Sequence, residues 1–226
     1  MSETEISRRR FAAPNELDGI PLDHPTLASL LGDAGHETAL IGKWHCGYLP
    51  WFSPTRLGWE SFFGNFSGGL DYFSKINHTW PFSGAKGSLR EGGIRVPTLL
   101  SWPGTLPSRR VVTTPVHTTD WTATFLELGR ARAPADRPLD GSSLVGHLLR
   151  GRPAPSRDLF WRMQGERALR RGALKYRRSS DGRDHLYDLS RDTLEQADLA
   201  RRRPEELAAL RSAWEQVDAT LLPYAS

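Results

Sequence analysis

The run Ala39-Leu-Ile-Gly-Lys-Trp-His-Cys-Gly47 carries an apolar stretch into a glycine, then sets a lysine and a histidine two positions apart around a tryptophan. Lysine brings a compact charge with three donors, and histidine can hold or release a proton near neutral pH. A strand that ends in Lys43 and His45 is suited to receive something anionic at its tip. Cys46 beside them is the only cysteine, which excludes an intramolecular disulfide framework and a multi-cysteine metal site. It is expected to be a small packed residue rather than a nucleophile.

Those side chains must be positioned by the elements around them. From Pro25 to Ala34, Leu27, Leu30, Leu31 and Ala34 recur at helical spacing, with Pro25 at the expected start and Gly35 just past the end. Thr38–Ile41 then reads as a short buried strand, and ligands in α/β sheets gather at the carboxyl ends of strands. Residues 50–83 are rich in aromatics and glycine without a sustained period and read as a long loop region. Ile94–Trp102 reads as a second strand, with Pro97 confining it to an edge or entry position. Thr119 is expected to cap a helix presenting Trp121, Phe125 and Leu128, closed by Gly129.

The polar, proline-bearing stretch 130–138 suggests a boundary. Beyond it the pattern predicts a short helix at Ser143–Leu149 and strands at Asp158–Met163, Arg167–Arg171, Ala173–Arg178 and Asp184–Leu189. Asp181-Gly182 marks a hairpin between the last two. A terminal helix from Pro204 carries Leu207, Leu210, Trp214, Val217 and Leu221 on one stripe. The second part is therefore expected to be a small antiparallel sheet covered by a terminal helix.

With 226 residues, 38% of them hydrophobic and 25% charged, the chain can bury a sizeable core as one large domain or one domain with a small partner. No apolar run approaches the roughly 18 residues of a membrane span, and the arginine-bearing N-terminus lacks the apolar centre of a secretory signal. The expectation is a cytoplasmic protein without a membrane partner. The net charge of +4 comes largely from arginine, clustered at Arg8–Arg10, Arg170–Arg171, Arg177–Arg178 and Arg201–Arg203. Such clusters favour anionic partners, although most charge runs are simply solvated surface.

Several stretches together resemble the sulfatase family. Gly42-Lys-Trp-His45, led in by TLASLLGDAGHETALI, is similar to its G-K-W-H signature. Gly58–Gly64 and Asp71-Tyr-Phe73 resemble the segment that follows. Lys86-Gly-Ser-Leu-Arg-Glu-Gly-Gly-Ile-Arg-Val-Pro97 resembles the K-G-x-x-x-E-G-G-x-R-V-P stretch, and Ser101-Trp-Pro-Gly104 the W-P-G after it. Leu186-Tyr-Asp-Leu189 with Glu195-Gln196 and Asp198-Leu199 resembles the C-terminal segment. The resemblance implies an α/β fold: a partial alkaline-phosphatase-like sulfatase core, with a mixed sheet flanked by helices, over residues 15–134. A small α+β subdomain over 135–226 would follow it. It implies a sulfuric ester hydrolase by lineage, acting on a sulfated small molecule or glycan, with Lys43, His45 and Lys86 contacting the sulfate. Cations fixed around the sulfate oxygens would stabilise the charge that develops there, and the histidine could protonate the leaving alcohol.

The departures from the family pattern matter as much. The family uses a formylglycine made in C/S-x-P-x-R upstream of G-K-W-H, and no such motif precedes Lys43. Phe52–Arg56, Thr105–Arg109 and Pro153–Arg157 have the proline and arginine spacing without Cys or Ser in first position, and read as proline turns. The family's calcium is held by an Asp-Asp pair and a later Asp-Asn or Asp-His pair. There is no Asp-Asp here, and none of Asn15, Asn65 and Asn77 follows an aspartate. Asp23-His24 and Asp184-His185 lie at other places in the order of motifs. The expectation is a chain that begins after the nucleophile segment and omits a central block. It would bind sulfate without turning over an ester, and its lost neighbours would leave strand edges exposed.

Two other readings stay open. One is a non-catalytic remnant that binds polyanions through its arginine clusters; stacked aromatics and helix-turn-helix or zinc modules are not visible, which disfavours nucleic acid. The other is a chain with no independent function. The oligomeric state is left open by the sequence.

Overall fold

The computed structural model describes residues 19–47, 49–66, 81–154, 156–163 and 165–223. It divides into two compact units, Met1–Ser74 with Val116–Ala154, and Lys75–Pro115 with Pro155–Ser226. This partition follows packing and differs from a single cut after residue 134. The segment 81–115 goes with the C-terminal sheet, and residues 135–154 go with the first unit.

In the first unit, helix α1 (Leu27–Asp33) starts two residues later than proline placement suggests, because Thr26 makes a reciprocal cap with Ser29. Its end follows the glycine signal. The amides of Gly35 and His36 return to the carbonyls of Gly32 and Leu31, with Gly35 at φ 85°, which is a Schellman closure. Strand β1 (Ala39–Lys43) follows and pairs in parallel with β2 (Ser61–Asn65). β2 lies inside what the sequence marks as loop, preceded by a 3₁₀ turn at Pro54–Leu57 capped by Ser53. Its aromatic pair Phe62-Phe63 fits a pleated strand, but a glycine within it and turn residues on both sides obscure the period.

Helix α3 (Thr119–Leu128) forms as expected, but its buried side is Asp120, Ala123, Thr124 and Leu126 rather than the Trp121–Phe125–Leu128 stripe. Asp120 explains the rotation. Its carboxylate accepts the amides of His117 and Ser142, and the Thr124 hydroxyl accepts the amide of Leu144, so the helix is held down by polar groups that an apolar stripe does not reveal. Helix α4 (Val145–Arg150) completes this unit.

The second unit is built on an antiparallel sheet, β3 (Asp158–Met163), β4 (Glu166–Arg171), β5 (Leu174–Arg178) and β6 (Asp184–Asp188), in chain order. Register aligns Phe160, Leu169, Tyr176 and Leu186 in one row across the four strands. Helix α5 (Pro204–Asp218) lays Leu210 and Trp214 on that row, and all but Phe160 of these six residues form the buried core cluster. The Trp214 ring stacks on Phe160 with centroids 5.1 Å apart, and its Nε1–H donates to the Trp161 carbonyl at 2.9 Å. Leu221, expected on the same stripe, lies past the helix end and is exposed.

The expected strand at Ile94–Trp102 is not formed. Glu91–Ile94 makes one helical turn, α2, and residues 95–102 run on without a strand assignment. Val96, Leu99, Leu100 and Trp102 are exposed, so the apolar character that suggested a strand finds no covering element. Among the described residues no helix is long and apolar enough to cross a membrane.

Candidate functional site

Lys43 closes β1 opposite Asn65, and the chain beyond it turns while keeping one further link to the neighbouring strand, His45 N–H to the Phe66 carbonyl at 3.0 Å. His45 has φ 53°, a left-handed conformation that costs a non-glycine residue of order 1–3 kcal/mol and persists only where its surroundings impose it. Two contacts impose it here. The Phe66 carbonyl fixes its amide, and the preceding Trp44 donates Nε1–H to the Phe52 carbonyl at 2.8 Å, with Phe52 itself buried. The glycine facing the motif on β2 has a backbone reason as well: a Cβ on Gly64 would lie 1.6 Å from the Gly42 carbonyl oxygen, so the strands come together only because Gly64 has none.

Alternation places Ala39, Ile41 and Lys43 on one face of β1 and Leu40 on the other. The first face is open: Ile41 is 79% and its register partner Phe63 80% exposed. Lys43 and His45 are exposed too, and both are presented to solvent at the carboxyl end of the strand. Cys46 is half-buried with Sγ 3.4 Å from the Trp44 carbonyl, and burial pushes its thiol above the ordinary value, which disfavours a thiolate nucleophile.

Lys86 belongs to the second unit. It occupies the second position of a turn closed by the Ser88 amide on the Ala85 carbonyl at 3.0 Å. Gly87, at φ 97°, takes the third position, where a type II turn requires a positive φ. Lys86 is exposed at that tip. Among the described residues no group of three or more His, Cys, Asp or Glu side chains is arranged to hold a metal ion. Asp71 and Asn77, named in the motif comparison, lie outside the described residues.

No local pattern points to the side chains buried deepest beneath the Lys86 segment. Lys175, with no exposed surface, places Nζ 2.9 Å from Glu91 Oε1 and 3.0 Å from Glu195 Oε1. In sequence Lys175 sits in Ala-Leu-Lys-Tyr-Arg-Arg and looks like solvated charge. Its neighbours in the alternation, Leu174 and Tyr176, are the only hint that one strand is covered on both faces. Ser179, His185 and Asp198 form a second unanticipated chain, with Ser179 Oγ 3.2 Å from His185 Nε2 and His185 Nδ1 2.9 Å from Asp198 Oδ2. The order is that of a hydrolytic triad. The Ser179 hydroxyl has its one proton shared between Asp181, the shorter contact, and the Arg183 carbonyl, and Asp198 takes the amides of Leu186 and Ala200. The chain fastens the β5–β6 hairpin to the loop after β6.

No family model matches the chain. Over 70 residues it is 46% identical to arylsulfatase D of Homo sapiens, covering 31% of this chain and 12% of that protein. The steryl-sulfatase of Mus musculus is 46% identical over 70 residues, 31% of this chain and 11% of its own length. A sulfatase of Formosa agariphila is 30% identical over 140 residues, covering 54% of this chain and 25% of that protein. The chain thus spans between about a tenth and a quarter of the length of these relatives. The crystal structure of Ps i-CgsB in complex with k-i-k-neocarrahexaose matches with a TM-score of 0.75 at 15% identity, covering 88% of this chain and 75% of that one, a likeness of fold.

Proposed function

We propose that this chain is of the sulfatase family, carrying part of an alkaline-phosphatase-like core, and that it recognises the sulfate group of a sulfated small molecule or glycan through Lys43, His45 and Lys86. We propose equally that it does not hydrolyse the ester by itself. Each cation is assigned on the strength of its own motif. The observation that carries the reading is the placement of Lys43 and His45 together, both exposed, at the carboxyl end of β1, with the His45 amide fixed on the Phe66 carbonyl.

The chemistry such groups offer is binding and charge stabilisation. Lysine ammonium groups pair with sulfate oxygens, and a protonated imidazole can donate to the bridging oxygen. Two features support the non-catalytic half: the sequence holds no C/S-x-P-x-R, and among the described residues no three His, Cys, Asp or Glu side chains gather as metal ligands. The relatives' names point to aryl and steryl sulfate esters, and the oligosaccharide bound to Ps i-CgsB adds glycans to the class of candidates. Residues 15–134 and 135–226 are proposed to descend from the family's catalytic-type and C-terminal portions.

The polyanion reading is less well supported, because the sheet arginines are already engaged. Arg171 is bidentate on Asp158, Arg178 is bidentate on Asp184, Arg162 meets Asp218, and Arg177 meets Glu166. A fluorogenic aryl sulfate assay with calcium, run beside calorimetric titration with inorganic sulfate, tests the proposal. The expected result is no turnover above that of His45→Ala, with sulfate heats that are markedly reduced in Lys43→Ala. Turnover that disappears in His45→Ala would contradict the catalytic half, and equal heats in both proteins the binding half.

A further inference from the structure

We propose that the buried triplet Glu91–Lys175–Glu195 is a positioning device that seats the Lys86 turn on the C-terminal sheet. This rests on the reading of Lys86 as an anion contact. The sheet's two faces are used differently. Tyr176 points from β5 into the core under α5, while Lys175, the next residue, points to the opposite face, and both are fully buried. What covers Lys175 is the segment that carries Lys86.

Four links hold that segment on either side of the turn. Glu91 Oε1 accepts from Lys175 at 2.9 Å across 84 positions of sequence. Glu195 Oε2 accepts the Glu91 amide at 2.7 Å and the Ser83 hydroxyl at 3.3 Å, so one carboxylate grips the chain before and after the turn. Glu195 Oε1 lies 3.0 Å from Lys175 Nζ but off the line of a hydrogen bond, an ion pair only. Glu166 Oε2 accepts the Leu89 amide at 2.7 Å. Arg95 at the rim lies 3.8 Å from Glu91 Oε2 and sits over the Phe82 ring at 4.6 Å, so two cations face the two carboxylates of the triplet.

Gly93 completes the seat. A Cβ there would lie 2.0 Å from the Ser88 carbonyl oxygen and 2.7 Å from that of Ala85, the two ends of the turn. The turn therefore rests directly on the backbone of α2, and α2 is fixed by Glu91. A buried ion cluster is poor evidence for stability, since apolar groups of the same size often do as well. Its use here is geometric: charges that must meet inside the protein allow one placement of the segment. Glu195 itself has φ 57°, a strained backbone that holds its carboxylate in line.

The test uses the full chain labelled for amide NMR, as wild type and as Glu195→Gln, Lys175→Met and Lys86→Ala, with inorganic sulfate as the probe. Without sulfate, Glu195→Gln is expected to exchange the Ser88 amide about tenfold faster, a local opening easier by about 1.4 kcal/mol, while the amides of β3 to β6 keep their protection. With sulfate, its Ala85–Ser88 shifts weaken while those of Gly42–Cys46 stay as in wild type. Lys175→Met should do the same more strongly, and if it fails to fold, Glu195→Gln carries the test. Wild-type exchange at Ser88 and wild-type sulfate response in a folded Glu195→Gln would overturn the positioning role. An unaltered sulfate response in Lys86→Ala would instead overturn the anion-contact reading, leaving the exchange result to judge the seat.

Discussion

The two sheets of this chain solve the same problem to different degrees. β3 to β6 present a row of Phe160, Leu169, Tyr176 and Leu186 to α5 and bury Lys175 on the other face, so the central strands are covered twice. β1 and β2 form a parallel pair whose facing residues Ile41 and Phe63 are about four-fifths exposed. Parallel strands are ordinarily buried on both faces, and a two-stranded sheet has little independent stability. The antiparallel unit closes on itself with local hairpins. Among the described residues, nothing covers the face of the parallel pair that carries Ile41 and Phe63. Lys43 and His45, proposed to meet the anion, stand at the end of the open pair, and Lys86, the third proposed contact, is carried by a segment seated on the covered sheet.

That contrast is broken most directly by Trp214→Ala. Deleting the indole that stacks on Phe160 and donates to Trp161 should destabilise the second unit by about 3–5 kcal/mol. Urea unfolding followed by the amides of β4 and β5 would show it, with β1 amides little changed; a uniform loss across both sheets would mean that they unfold together.

Acid should act on the same unit next. Burial alone would raise the Asp184 carboxyl, but bonds from Arg178, Tyr176 and Arg211 outweigh it and hold the group below the ordinary aspartate value of 3.8. The folded form thus binds its proton less readily than the unfolded one. Its stabilising contribution is present above that value and is lost as pH falls below it. Urea midpoints should drop on acidification in wild type and drop less in Asp184→Asn; parallel pH profiles would contradict the assignment.

In the first unit the expected effects are smaller. Thr26→Ala removes both the cap of α1 and the hydroxyl's bond to the Leu57 carbonyl at 2.6 Å, for a loss of about 1 kcal/mol by thermal melting. Ile41→Thr with Phe63→Thr should change stability by no more than about 0.5 kcal/mol, since neither side chain is buried, while light scattering shows less self-association. A marked loss of stability would show that something covers that face in solution.

The elements most legible in the sequence were those whose signals are local. The Gly35 closure, the Asp181-Gly182 hairpin, the four C-terminal strands and the stripe of α5 each follow from a few neighbouring residues. β2 was hidden because aromatics beside glycine carry no clear period. The strand expected at 94–102 failed because strand formation needs a partner, which the chain does not specify locally. In α3, a buried aspartate set the inward face against the apolar stripe. At the candidate site, the spacing of Lys43 and His45 marked a strand tip correctly, yet the left-handed backbone of His45 depends on Phe66 and Phe52, which no local pattern connects to it. The Glu91–Lys175–Glu195 triplet joins residues 84 or more positions apart along the chain, or 20 apart across a loop, and buried charge looks like solvated charge until the covering segment is known.

The central claim is that sulfate is held by a few fixed groups rather than by general positive charge. Mapping an inorganic sulfate titration onto the amide spectrum of the full chain tests this most directly. Saturable shifts confined to Gly42–Cys46 and Ala85–Ser88, abolished at the first segment by Lys43→Ala, are the expected result. Shifts spread over Arg201–Arg203 and the other arginine clusters, unchanged in Lys43→Ala, would contradict it.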